Sequence, residues 1–136
     1  MNLPITVTPN ELKELLLNIA PLRPVHIWGA PGIGKTAIVE EFADEVGMEC
    51  VSMLGSQLAP EDIIGIPQIK NGKSQFIPPA MIAKNEPYVL FLDELNGASP
   101  DVQRAMYSLI YEKRVREFYL PEGSIVIAAG NRLFIA

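Results

Sequence analysis

The chain has 136 residues, 49% hydrophobic and 20% charged, a balance that excludes disordered and collagen-like classes and fits one domain with its own core. Eleven Lys and Arg against sixteen Asp and Glu give a formal net charge of -5, which disfavours a broad footprint on nucleic acid or anionic lipid. The single cysteine, Cys50, excludes an internal disulfide framework and a multi-cysteine zinc site, and it reads as a small buried hydrophobe.

Taken in chain order, Thr8-Pro9-Asn10-Glu11 reads as a capping box with proline in the first turn, opening a helix that carries Leu12, Leu15, Leu16 and Ile19 on one face. Pro21 and Pro24 end it, and Val25-His26-Ile27-Trp28 predicts a short strand buried under helices. A glycine-rich stretch follows, and then Ile38, Val39, Phe42, Ala43 and Val46 return at helical spacing until Gly47. Cys50, Val51 and Met53 predict a second strand. Between Leu54 and Ala83 there is no long periodic pattern, but Asn71-Gly72 between two short polar-apolar runs predicts a hairpin. Val89-Leu90-Phe91-Leu92 is a continuous apolar run, as in a strand buried on both faces, and it ends in Asp93-Glu94. Pro100 opens a helix with Val102, Ala105, Met106, Leu109 and Ile110 on one side, and residues 124–129 form the last predicted strand, closed by Gly130-Asn131. Strands alternating with helices imply an α/β domain with a mostly parallel sheet. The first residues lack the basic-then-apolar order of a secretory signal, and no run reaches the roughly 18 apolar residues of a membrane span. A cytoplasmic address and no membrane partner are expected.

The glycine-rich stretch is Gly29-Ala30-Pro31-Gly32-Ile33-Gly34-Lys35-Thr36, a full match to G-x-x-x-x-G-K-[ST], and it lies between a predicted strand and a predicted helix as that motif requires. Its glycines let successive backbone N–H groups face a phosphate without a Cβ clash, and the helix N-terminus, which includes Ala37, adds to the cradle. Lys35 is expected to reach the β- and γ-phosphates and Thr36 to offer its hydroxyl to Mg²⁺. Two adjacent acids alone are commonly a solvated turn, but Asp93 and Glu94 end a buried strand whose C-terminus a parallel sheet brings to the same edge as the phosphate loop. Asp93 is the candidate metal-organising carboxylate and Glu94 the candidate general base for an attacking water. Asn131 has two readings of equal weight here, a turn residue or an amide that bonds the γ-phosphate or the water. His26, with no cysteine or second histidine near it, reads as a satisfied strand histidine rather than a metal ligand, and Trp28 reads as core. Lys113, Arg114 and Arg116 read as a solvated helix end or, alternatively, an intersubunit or polymer-binding contact.

Together GAPGIGKT, VLFLDELN, ASPDVQRAMYSLIYEKRV and IVIAAGNR resemble the AAA+ ATPases, most closely the MoxR-like and dynein-related group, over roughly Val25 to Arg132. The resemblance implies a P-loop three-layer α/β/α sandwich with ATP and Mg²⁺ as cofactors. In its terms Lys35 and Thr36 match the Walker A residues, Asp93 and Glu94 the Walker B pair, and Asn131 the sensor 1 asparagine. Residues 58–65 resemble the loop leading to that group's inserted hairpin. The resemblance also implies a ring-type homo-oligomer that remodels a protein partner. Family members continue past sensor 1 into an arginine-finger helix, a fifth core strand and a helical lid. The expectation is therefore a single core domain over 1–136, with a helix at about 8–20 and the P-loop core at about 25–132. This core would be C-terminally incomplete, its first strand at a sheet edge, and weak in hydrolysis by itself. Three rival readings remain: a nucleotide-binding assembly module that does not turn over, a nucleic-acid motor or loader, and a phosphotransferase.

Overall fold

The computed structural model describes residues 7–29 and 34–130. Helix α1 (Pro9–Ile19) begins with the expected box: the Thr8 side chain accepts from the Glu11 N–H and the Glu11 side chain accepts from the Thr8 N–H. Strand β1 (Val25–Trp28) leads to α2 (Lys35–Glu45), β2 (Cys50–Leu54) and a short helix α3 (Pro60–Ile64). The hairpin β3 (Ile66–Lys70) and β4 (Lys73–Ile77) turns on Asn71 and Gly72, both at positive φ, as the two-residue turn requires. Then come β5 (Val89–Asp93), α4 (Pro100–Glu112), a small second hairpin of β6 (Arg114–Val115) and β7 (Phe118–Tyr119), and β8 (Ile125–Gly130).

Four of these strands form one parallel sheet in the order β1-β8-β5-β2. The two central strands, β5 and β8, are apolar at nearly every position because each faces a helix layer on both sides. Alternation divides them. Val89 and Phe91 join Ile125 and Ile127 beneath Leu12, Leu16, Val39 and Phe42 of α1 and α2. Leu90 and Leu92 join Val126 and Ala128 beneath Val102, Met106 and Leu109 of α4. The result is the expected three-layer α/β/α sandwich. Three elements were not predicted: α3 and the strands β6 and β7, each too short to carry a hydrophobic period.

β1 is an edge strand, and this corrects one expectation. Trp28 reads from sequence as core, yet it is 50% exposed, because no strand lies outside β1 among the described residues to bury that side. It stacks on His26 instead, with ring centroids 6.1 Å apart, and His26 stacks in turn on Tyr111 of α4 at 6.2 Å. Cys50, on the opposite edge strand, is likewise only half-buried. Burial lowers the His26 pKa, and its Nε2 is buried with no hydrogen-bond partner among the described residues. A histidine held neutral in the fold contributes stability above its unfolded pKa of about 6.5 that is lost as pH falls through that value toward the folded one. Thermal melts between pH 7.5 and 5 are expected to shift downward more in the wild type than in His26→Phe, which keeps the stacked ring and removes the proton. Equal shifts would remove His26 from the account.

Candidate functional site

In a parallel sheet all strands end on the same edge, so β1, β8, β5 and β2 deliver their next residues to one rim. Along that rim lie Gly29 after β1, Asp93 and Glu94 at the end of β5, and Gly55 and Ser56 after β2. Gly29 N–H donates to Gly130 O at 3.2 Å, tying the entrance of the glycine loop to the end of β8. Ala30, Pro31, Gly32 and Ile33 of that loop, and Asn131 beyond β8, lie outside the described residues.

Gly34 closes the loop at φ 76°, a conformation open to glycine, and serves as the N-cap of α2. α1 and α4 are capped by the side chains of Thr8 and Ser99, but α2 has no side-chain cap and no acidic residue in its first turn. The first turn of α2 sits at the positive end of the helix dipole, with its N–H groups directed out of the helix N-terminus. That chemistry fits a phosphate. Lys35 is buried, at 7% exposure, while Thr36 and Ala37 are exposed.

The acids are held differently. Glu94 adopts φ 51° and ψ 46°, a left-handed conformation that costs a non-glycine residue on the order of 1–3 kcal/mol unless its surroundings hold it. Three bonds do so: the Glu94 N–H donates to Asp93 Oδ1 at 2.8 Å, Glu94 O accepts from the Gly97 N–H at 3.0 Å, and the Ser56 hydroxyl donates to Glu94 Oε2. Asp93 therefore commits one carboxylate oxygen to the turn. Glu94 is steered sideways, toward the end of β2.

Ser56 was not among the sequence candidates, because the carboxylate it bonds lies 38 residues away in the chain. Asn96 is a second such residue. A Cβ on Gly130 would stand 3.0 Å from Asn96 Oδ1 and 2.7 Å from the Trp28 ring, so this side chain lies between the β5 turn and the end of β8. Gly55 lets the β2 turn approach equally closely, since a Cβ there would be 2.5 Å from Glu94 O and 3.2 Å from Asp93 O. Because both neighbours are backbone, Gly55→Ala is expected to displace the Asp93-Glu94 turn and lower stability by about 1–3 kcal/mol. Urea denaturation measures this, and an unchanged midpoint would mean the turn yields freely.

A family model described as AAA domain (dynein-related subfamily) matches residues 24–135. Among curated proteins the chain is 31% identical to chaperone MoxR1 of Mycobacterium tuberculosis over 133 residues, covering 93% of this chain and 35% of that protein. It is 28% identical to proteasome-activating nucleotidase 2 of Haloferax volcanii, covering 91% and 32%. Among solved structures, the RuvB Holliday junction branch migration motor of Thermotoga maritima superposes with a TM-score of 0.62 at 21% identity, covering 90% of this chain and 37% of that one. At that identity the likeness speaks for the fold. The chain spans about a third of the length of the curated relatives it matches.

Proposed function

The chain belongs to the dynein-related subfamily of AAA domains, and on that premise we propose that it binds ATP with Mg²⁺ and that hydrolysis, in the assembled protein, drives remodelling of a protein partner. Remodelling at this general level is in keeping with relatives described as a chaperone and a proteasome-activating nucleotidase. What supports the site assignment is the convergence of an uncapped helix N-terminus after β1 and an acid pair after β5 on one edge of one parallel sheet.

The residues divide the work by chemistry. Backbone N–H groups of the loop from Gly29 to Gly34, all but Pro31, together with the first turn of α2 hold the phosphates, and Lys35 sets a positive charge against the β- and γ-phosphates. Thr36 would offer its hydroxyl and Asp93 its carboxylate to Mg²⁺, a cation that takes one or two protein oxygens beside phosphates and waters. When bound, Mg²⁺ supplies charge neutralisation at the β- and γ-oxygens. Glu94 accepts the proton of the attacking water, and Asn131 donates its amide to the γ-phosphate or that water. Arrangement in a ring of like subunits belongs to the same proposal.

The test is calorimetric titration with ATP and Mg²⁺ followed by phosphate release. Saturable one-to-one binding with release supports the reading. Binding without release in the assembled protein would leave a nucleotide-sensing module, and transfer of label to an added acceptor would make it a phosphotransferase. No binding would overturn it.

A further inference from the structure

The two hairpins stand outside the central sheet, each as a separate two-stranded sheet. They meet where the guanidinium of Arg116, in the turn between β6 and β7, lies over the Phe76 ring of β4 at 4.4 Å from its centroid. Beneath that contact, between the hairpins, α3 and α4, opens a groove of about 690 Å³, within the roughly 300–1,000 Å³ range of ligand sites. Ile64, Ala105, Val115 and Phe76 give it an apolar lining, and Glu61 and Arg116 are among its charged residues.

The charges in the groove are unevenly satisfied. Arg104 is paired with Asp101, whereas among the described residues Arg116 has no carboxylate within ion-pairing distance. Arg116 also sits at φ 54°, where glycine or asparagine would be at ease. A guanidinium with one face against an aromatic ring keeps its edge donors, and that planar fork matches a carboxylate in two parallel bonds. We propose that this groove binds a protein segment bearing an acidic side chain next to large apolar ones, the carboxylate on Arg116 and the apolar side chains against Phe76, Ile64 and Val115. The proposal rests on the reading that the chain acts on a protein partner, and it names the chemistry of the part recognised. Charge complementarity also selects against a polyanion, since Glu61 and Asp101 line the same groove and the whole chain carries -5. A single carboxylate meets Arg116, whereas a phosphate polymer would run into both acids.

The probe is a fluorescein-labelled peptide with Leu-Phe-Asp-Phe-Leu between Gly-Ser flanks, and its control carries Lys in place of Asp. Fluorescence anisotropy on the full chain is expected to show saturable binding of the aspartate peptide that weakens with added salt, and no binding of the lysine peptide. Arg116→Glu is expected to weaken the aspartate peptide at least about tenfold and to turn the preference toward the lysine peptide. Phe76→Ala is expected to weaken the aspartate peptide as well. Both variants should titrate with ATP as the wild type does, and Lys35→Ala should keep peptide binding, so failure of the groove and failure of the nucleotide site read out separately. Equal binding of the two peptides, binding of neither, indifference to Arg116→Glu, or displacement of the peptide by a short oligothymidylate would overturn the proposal.

Discussion

Lys35→Ala is expected to abolish measurable ATP binding while the fold persists. Each charge-assisted hydrogen bond lost is worth about 1.5–3 kcal/mol, so two bonds to phosphate oxygens correspond to roughly 10²–10⁴ in affinity. Lys35 is buried at the first position of α2, which means the substitution removes packing as well as charge. Lys35→Met separates the two, because it keeps most of the unbranched stem and loses the ammonium. If the loss is electrostatic, both variants lose ATP alike, while the methionine variant melts closer to the wild type. Calorimetry with ATP and Mg²⁺, paired with circular dichroism melts, reads both. A folded Lys35→Met protein with wild-type affinity would remove Lys35 from the site.

How much of this was legible in the sequence depended on how local each determinant is. Val89 to Leu92 announced a doubly covered strand, since four consecutive apolar residues leave no wet face, and the carboxylates at its end followed from strand direction. The β3–β4 turn was legible because Asn71-Gly72 is a two-residue signal complete in itself. The Ser56 bond to Glu94 spans 38 residues and depends on β2 and β5 pairing in one register, Leu54 beside Asp93. Nothing local in Gly55-Ser56-Gln57 encodes it. Trp28 was misread for a related reason: an aromatic residue at the end of an apolar run looks like core until the strand order shows that, among the described residues, β1 has a neighbour on one side. The Arg116 contact with Phe76 needed two hairpins, one of them built from strands of two residues, too short to leave a pattern.

Substitution of the two adjacent acids is expected to give opposite outcomes, because the same turn holds them in different ways. Glu94→Gln keeps the side-chain shape and an oxygen able to accept the Ser56 hydroxyl, so the left-handed turn at position 94 persists and ATP binds as before. The amide has no basicity, and a positioned general base contributes typically 10²–10⁴ to the rate. Single-turnover phosphate release should therefore fall by about that factor with binding unchanged. Asp93→Asn also preserves its turn, since the amide oxygen can accept the Glu94 N–H that Oδ1 accepts now. It removes one negative charge from the position assigned to Mg²⁺, so the Mg²⁺ concentration for half-maximal release should rise, and saturating Mg²⁺ should recover much of the rate. Glu94→Gln should gain nothing from added Mg²⁺. Titrating Mg²⁺ against both variants distinguishes a base from a metal-organising carboxylate: wild-type turnover in Glu94→Gln would mean that another group takes the proton, and rescue of Glu94→Gln by Mg²⁺ would exchange the roles of the two acids.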